Sequence, residues 1–153
     1  MVARSAGLLL FRRADDAVEV LLGHMGGPLW SRRERAWTIP KGEHADDEDP
    51  HDAALREFAE ELGTAAPPGD DVDLGEIRQR AGKVVHAWAR EADLDASTIT
   101  SNTFEMEWPP RSGRRQSFPE LDRAAWVPLA KARGLVVAGQ VELLDRLAER
   151  LSG

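Results

Sequence analysis

One segment near the middle of the sequence constrains the fold most, because it carries both start and stop signals for a helix. Asp49 is a favourable N-cap, Pro50 suits the first helical position, and Asp52 adds negative charge to the first turn. Gly63 lies where a left-handed residue commonly ends a helix. Together these signals predict a helix over residues 50–62.

The predicted helix has an acidic side and an apolar side. Glu57, Glu60 and Glu61 stand at positions i, i+3 and i+4, within one sector about 100° wide. Repulsion among them opposes helix formation by about 0.2–0.5 kcal/mol per pair. Glu-rich helix faces are most often solvated surface, but clustered carboxylates are also typical ligands of Mg²⁺ or Mn²⁺. The apolar side consists of Leu55, Phe58, Ala59 and Leu62.

The remaining sequence predicts strands on both sides of this helix and a second helix at the end. A polar turn is expected over residues 12–17, a loop over residues 109–120 and an amphipathic helix over residues 140–151. This order of elements is typical of the α/β class, and we expect one domain, residues 1–153, with a mixed sheet sandwiched between α-helices. Strands are predicted over residues 5–11, 18–22, 37–39, 74–79, 83–90, 103–108 and 124–127.

Composition narrows the classes of function. The chain is 42% hydrophobic with a net charge of −7, which indicates a folded protein and disfavours binding to a nucleic-acid duplex or an anionic membrane. Residues 43–61 hold nine acidic residues and one basic residue, so the excess charge is concentrated around the predicted helix. The chain has no cysteine, which excludes disulfides and thiolate metal sites. We expect a cytoplasmic protein without a membrane partner.

Residues 42–64 resemble the Nudix box of the Nudix hydrolases, G-x5-E-x7-R-E-U-x-E-E-x-G-U, where U is a bulky apolar residue. Thr64 at the last U position is the one departure, at a packing site. The lead-in over residues 37–41 and the strand pattern extend the resemblance over nearly the whole chain. The fixed positions of the box are occupied by Gly42, Glu48, Arg56, Glu57, Glu60, Glu61 and Gly63.

The resemblance implies a Nudix fold and hydrolysis of a nucleoside diphosphate linked to another group, with Mg²⁺ or Mn²⁺ as the cofactor. It assigns metal binding to Glu57, Glu60 and Glu61, with one of them or another carboxylate as general base. Arg56 would orient the helix carboxylates. Gly42 would support the loop and offer its carbonyl to a metal, and Glu48 would brace the loop or lie just outside the metal ligands.

The family often adds an acidic residue from a strand beyond the box. In the predicted strand 103–108, alternation sends Glu105 and Glu107 to one face and the apolar side chains to the other. Glu105 and Glu107 are therefore candidates for the extra metal ligand or base. The alternative is an ordinary solvent-facing side of a strand.

Substrate recognition is expected from arginines in the loops and from aromatic side chains. Lys41, Arg32, Arg111 and Arg115 are candidates for contacts with phosphate, and Trp30 is a candidate for stacking on a base. For each basic cluster, solvated surface is the alternative.

The resemblance leaves several substrates open. Residues 5–13 and 37–42 look most like the dinucleoside polyphosphate and diphosphoinositol polyphosphate hydrolases. Many diadenosine tetraphosphate hydrolases stack adenine on a tyrosine, which this chain lacks. Nucleoside triphosphate pyrophosphohydrolase remains close behind, and ADP-ribose hydrolase is a further alternative. A non-catalytic module that senses a nucleotide is the alternative from another class.

Overall fold

Seven strands form one mixed sheet in the part of the chain that the computed structural model describes, residues 3–79 and 82–152. Within these described residues, two further strands pair only with each other and form a separate hairpin, β7 (Thr103–Glu107) and β8 (Arg115–Pro119). The main sheet contains β1 (Arg4–Ala14), β2 (Ala17–Met25), β3 (Trp37–Thr38), β4 (Lys41–Glu43), β5 (Asp71–Arg78), β6 (Val84–Glu91) and β9 (Leu121–Pro128). The helices are α1 (Pro50–Leu62), α2 (Leu129–Ala132) and α3 (Val141–Ser152).

Strand β1 organises the sheet. It pairs in parallel with β6, while its first residues also pair antiparallel with β4 and its last residues pair antiparallel with β2. The path through the sheet runs β3-β2-β1-β6-β5, and β9 pairs with β2. A short loop separates β4 from α1. The pairing of β4 with β1 therefore holds Gly42, the first residue of the box, beside the helix.

Alternate residues of the sheet face two apolar cores. Leu8 and Leu10 of β1 pack with Phe58 of α1 on one side. Leu9 packs with Leu144 of α3 on the other side. The predicted mixed sheet between helical layers is confirmed. None of the helices in the described residues combines the length and the apolar character needed to cross a membrane.

The signals predicted at both ends of α1 are confirmed. The Asp49 side chain accepts a hydrogen bond from the Asp52 amide at 3.0 Å. Gly63 has a φ of 73°, and its amide donates to the Ala59 carbonyl at 2.8 Å. A Cβ on Gly63 would lie 2.3 Å from the Thr100 carbonyl oxygen, so close packing as well as a left-handed backbone requires glycine.

The predicted loop over residues 109–120 is wrong in part, because β8 occupies Arg115–Pro119. This strand has little apolar alternation of its own, and it forms by pairing with β7, with Phe118 opposite Phe104. The predicted turn over residues 12–17 is also too long. Strands β1 and β2 extend toward each other and leave a two-residue turn, in which Asp15 has a φ of 55°.

Short elements were not predicted because neighbouring segments stabilise them. Strand β4 has three residues and depends on pairing with β1. Helix α2 has four residues and directly follows β9. The other predicted strands and the final helix are confirmed with shifted ends, for example β5, which begins at Asp71 rather than at residue 74.

A buried glutamine joins the C-terminal region to the segment before the box. Gln140 is 1% exposed. Its Oε1 accepts a hydrogen bond from the Ile39 amide at 2.9 Å, and its Nε2 donates to Thr38 Oγ1 at 2.8 Å. Ile39 is fully buried, so water cannot replace this acceptor.

Substitution Gln140→Met keeps the side-chain volume but leaves the Ile39 amide unpaired. We expect the free energy of unfolding, measured by urea denaturation, to fall by about 1–3 kcal/mol. Gln116→Met is the matched control, because Gln116 makes one hydrogen bond on the exposed hairpin. Its effect should stay below about 0.5 kcal/mol. Equal effects of the two substitutions would contradict this account of Gln140.

Candidate active site

A cavity of about 510 Å³ lies where β4, α1 and the ends of the hairpin meet. Its walls carry five carboxylates and two amines, while its remaining lining is mixed polar and apolar. The carboxylates come from β4, α1 and the residue after β8, which are far apart in the sequence. The ionisable side chains lining the cavity are Lys41, Glu43, Glu57, Glu60, Glu61, Lys83 and Glu120.

Arg56 holds three carboxylates together at the edge of this cavity. Its Nε and Nη2 donate to the two oxygens of Glu48 at 2.8 and 2.9 Å. Its Nη1 donates to Glu57 Oε1 at 2.8 Å and to Glu60 Oε2 at 3.2 Å. These hydrogen bonds keep the pKa of Glu48 below its usual range and raise that of Arg56. One guanidinium therefore fixes the loop over residues 44–49, here called the approach loop, and two helix carboxylates in a single arrangement.

Gly42 makes room for the carboxylate of Glu57. A Cβ on Gly42 would lie 2.0 Å from Glu57 Oε2, so any side chain here would displace the carboxylate. Pairing of Gly42 with Ala6 of β1 fixes the backbone at this point. Glu57 is 9% exposed, and burial raises its pKa although Arg56 opposes the shift.

Glu61 is the most strongly perturbed carboxylate in the cavity. Burial and then the nearby carboxylates of Glu120 and Glu57 raise its pKa to about 7. Among the described residues, its Oε2 is buried and has no hydrogen-bond partner. A buried, unpaired oxygen beside other carboxylates fits a hard divalent cation, because such a cation prefers oxygen ligands and offsets their repulsion.

Two amines share the cavity with these carboxylates. Burial lowers the pKa of Lys41, and the neighbouring charge of Lys83 lowers it further. Within residues 3–79 and 82–152, neither amine lies within 4.0 Å of a carboxylate oxygen. The cavity therefore offers both carboxylates for a cation and ammonium groups for an anion.

A second group of ligand-type side chains lies at the opposite end of α1. Ligand atoms of Asp49, His51 and Asp52 lie within 4.8 Å of one another. Asp49 already caps the helix, and His51 Nε2 bonds Asp71 Oδ2 at 2.5 Å. The Asp49 and His51 side chains are therefore engaged in hydrogen bonds at the start of the helix, away from the cavity lining.

The structure gathers some of the predicted site residues and leaves others apart. Gly42, Lys41 and the three helix glutamates line the cavity, and Arg56 bonds two of these glutamates. Glu105 and Glu107 are exposed on β7 and do not line it. Glu105 faces Arg115 at 4.0 Å, and Glu107 accepts a hydrogen bond from the Arg111 amide at 2.8 Å.

The other predicted substrate contacts lie outside the cavity lining. Trp30 and Arg32 belong to the loop over residues 26–36, where the Arg33 guanidinium lies 4.9 Å from the Trp30 ring centroid. This loop packs against the base of the hairpin, because the Gly26 amide donates to the Glu120 carbonyl at 2.9 Å. Arg111 and Arg115 lie at the other end of the hairpin, in and beside the turn that joins β7 to β8.

Sequence reasoning missed Glu120 and Lys83. Glu120 ends the segment interpreted as a loop, and Lys83 begins a strand candidate without a neighbouring motif. A single acidic residue between β8 and β9 gave no periodic signal. Its place beside Glu61 follows from strand pairing, which brings together two residues that are 59 positions apart.

A model of the NUDIX domain matches residues 1–147. The match spans nearly the whole chain, and the chain therefore belongs to the NUDIX domain family. The resemblance seen in the box is confirmed. Family membership and the complete carboxylate set support assigning the chain to the pyrophosphohydrolase enzymes.

Solved structures share the fold at low sequence identity. An Ap4A hydrolase from C. elegans, in a binary complex, is 22% identical with a TM-score of 0.67, and the match covers 99% of each chain. The NUDIX domain of NrtR from Shewanella oneidensis, complexed with ADP ribose, is 20% identical with a TM-score of 0.66, covering 99% of this chain and 89% of that one. A MutT protein from Methanosarcina mazei Go1 is 20% identical with a TM-score of 0.64, covering 99% and 96%.

The raised pKa of Glu61 predicts a pH-dependent cost to stability. The folded state binds this proton more tightly than the unfolded state, so stability falls as pH rises from about 4.5 through about 7. Glu61→Gln removes the ionisation. Relative to wild type, the variant should gain about 2 kcal/mol between pH 5 and pH 8, after allowance for solvent screening.

Urea unfolding in EDTA at the two pH values measures this gain. Glu149→Gln on α3 is the control, with an effect below about 0.5 kcal/mol at both pH values. A Glu61→Gln effect that is the same at pH 5 and pH 8 would contradict the predicted linkage.

Proposed function

We propose that the protein is a Mg²⁺- or Mn²⁺-dependent hydrolase that cleaves a phosphoanhydride bond in a nucleoside triphosphate or dinucleoside polyphosphate. The observation that carries the proposal is the cavity itself. Glu57, Glu60, Glu61 and Glu120 meet there, and Glu61 keeps a buried oxygen without a partner in the described residues. This arrangement is costly alone and favourable around cations that also bind phosphate.

Glu57, Glu60, Glu61 and the Gly42 carbonyl would hold the metal. A bound divalent cation would offset phosphate charge and acidify water next to it. Arg56 keeps two of these carboxylates in place through hydrogen bonds of 2.8 and 3.2 Å. We assign to Glu120 the role that the sequence offered to Glu105 and Glu107, that of the further metal ligand or general base.

The amines and the loop arginines complete the proposed substrate site. Lys41 and Lys83 would bind phosphate oxygens inside the cavity, because each is a cation without an ion pair among the described residues. Arg32, Arg111 and Arg115 would contact phosphates beyond the mouth, and Trp30 would stack on a base. The loop that carries Trp30 and Arg32 is joined to the base of the hairpin by the hydrogen bond from the Gly26 amide to the Glu120 carbonyl, whereas Arg111 and Arg115 lie at the turn of the hairpin.

The proposed substrate class is supported by the charged groups in the cavity and by the solved structures that share the fold. A polyphosphate matches a site with several carboxylates for cations and two amines for free phosphate oxygens. One neighbour is named an Ap4A hydrolase, and another is a domain complexed with ADP ribose. Diphosphoinositol polyphosphate and ADP-ribose are the alternative substrates, and a non-catalytic nucleotide sensor is the alternative function.

A substrate panel tests the proposal. The purified protein is incubated with Mg²⁺ or Mn²⁺ and nucleoside triphosphates, dinucleoside polyphosphates, ADP-ribose or diphosphoinositol phosphates, and the products are separated by ion-exchange chromatography. We expect cleavage of a nucleoside triphosphate or dinucleoside polyphosphate, abolished by EDTA. Tight binding of one compound without cleavage of any would favour the sensor and overturn the enzyme.

Glu120→Gln tests the fourth carboxylate. Loss of a metal ligand or base should lower kcat by about 10²-fold or more, measured at saturating Mg²⁺ with the best substrate of the panel. Glu105→Gln and Glu107→Gln are matched comparisons, because both side chains are exposed on β7. They should keep wild-type rates. Loss of activity at residue 105 or 107 with full activity in Glu120→Gln would reverse the assignment.

Gly42→Ala tests the close approach of the backbone to Glu57. The added methyl group should displace the carboxylate and lower kcat/KM by about 10²-fold, because a shift near 1 Å at a reacting centre has effects of this size. In Gly134→Ala the new Cβ would meet its nearest neighbour at an ordinary 3.7 Å. This control should retain activity, and equal activity of the two variants would contradict the account.

A further inference from the structure

Residues 100–102, here called the connecting segment, join the end of the catalytic helix to Glu120. The Thr100 amide donates to the Leu62 carbonyl at 3.0 Å, and the Asn102 amide donates to the Glu60 carbonyl at 3.3 Å. Carbonyls in the last turn of a helix lack intrahelical partners. The connecting segment supplies these partners at the turn that carries Glu60 and Glu61.

The other side of the connecting segment holds the backbone around Glu120. The Asn102 carbonyl accepts a hydrogen bond from the Glu120 amide at 2.7 Å. Ser101 Oγ accepts one from the Leu121 amide at 3.0 Å and donates to the Asn102 carbonyl at 3.0 Å. The Ser101 hydroxyl therefore closes a ring of hydrogen bonds around the Glu120 backbone.

At the start of β9, the Ser101 hydroxyl accepts the hydrogen bond of the Leu121 amide. Pairing of β9 with β2 is irregular between His24 and Met25, where Leu121 faces Met25 and the next pair joins Arg123 to His24. Leu121 is 4% exposed, so its amide has little access to water as a substitute acceptor. The Glu120 carbonyl accepts a hydrogen bond from the Gly26 amide. In the described residues, the other hydrogen bonds that hold the Glu120 backbone come from the connecting segment.

We propose that Ser101 is a positioning residue that sets the carboxylate of Glu120 against those of Glu60 and Glu61. The inference rests on the proposed function, because it assumes that Glu120 acts with the helix carboxylates. Ser101 itself is not among the described residues that line the cavity. Its effect passes through the backbone of Glu120 and Leu121.

Three substitutions at residue 101 separate positioning from packing. Ser101→Ala removes the hydroxyl, Ser101→Cys keeps the volume with a weak hydrogen-bonding group, and Ser101→Thr keeps the hydroxyl. Ser97→Ala is the matched control, since the Ser97 hydroxyl bonds Asp95 at 2.6 Å on an exposed turn. We measure kcat and KM for the best substrate of the panel, and Mn²⁺ affinity by electron paramagnetic resonance.

For Ser101→Ala and Ser101→Cys we expect kcat about 10-fold lower, KM within about twofold of wild type, and Mn²⁺ affinity several-fold weaker. Ser101→Thr and Ser97→Ala should match wild type. Wild-type kcat and Mn²⁺ affinity in either the Ala or the Cys variant would overturn the inference. The two variants guard against misfolding of one of them, which circular dichroism would reveal.

A double substitution tests whether Ser101 acts through Glu120. In a Glu120→Gln background, Ser101→Ala should lower kcat by less than twofold further, because the group that it positions is already lost. Multiplication of the two single effects would overturn the inference. If wild type cleaves no substrate, the proposed function fails, and the Mn²⁺ titrations alone decide: unchanged affinity in Ser101→Ala overturns the role of Ser101.

Discussion

The hydrogen bonds of Arg56 are the interaction on which the candidate site depends. The three glutamates on one face of α1 repel one another, and the approach loop adds further acidic residues beside them. Arg56 offsets part of this repulsion and holds Glu48, Glu57 and Glu60 in fixed orientations. The planar guanidinium has enough donors to serve all three carboxylates, which a lysine amine could not orient in this way. Loop and helix are thereby joined through side chains of the protein alone.

The charge of the protein is unevenly distributed along the chain. Residues 43–61 carry nine acidic residues and one basic residue, a local charge of −8, so this segment accounts for the whole of the chain's net charge of −7. Burial raises the pKa of Glu57 and Glu61 and lowers that of Lys41. These shifts show that burial disfavours the charged forms of these groups in the cavity, which is consistent with the proposed cation and phosphate ligands.

The site also depends on segments that are distant in the sequence. Strand β4 places Gly42 against the carboxylate of Glu57. Gln140 forms hydrogen bonds with the residues just before β4, and Glu120 reaches the cavity from the base of the hairpin. Residues 100–102 link that base to the last turn of α1. The cavity is therefore formed where the ends of strands and of α1 meet, and the main sheet holds these ends together.

The sequence by itself determined helix α1, its caps, its acidic face and the family, because each depends on spacing within about 20 residues. Alternation also predicted that Glu105 and Glu107 share one face of β7, as observed, but it offered them as the further ligand or base, and both are exposed outside the cavity. Only the tertiary structure decided which carboxylate beyond the box reaches Glu61. That choice depends on the pairing of β9 with β2 and of β8 with β7, and strand register is fixed by distant partners and packing. The sequence alone therefore could not predict that Glu120 and Lys83 line the cavity, or that residues 100–102 form hydrogen bonds with both α1 and Glu120.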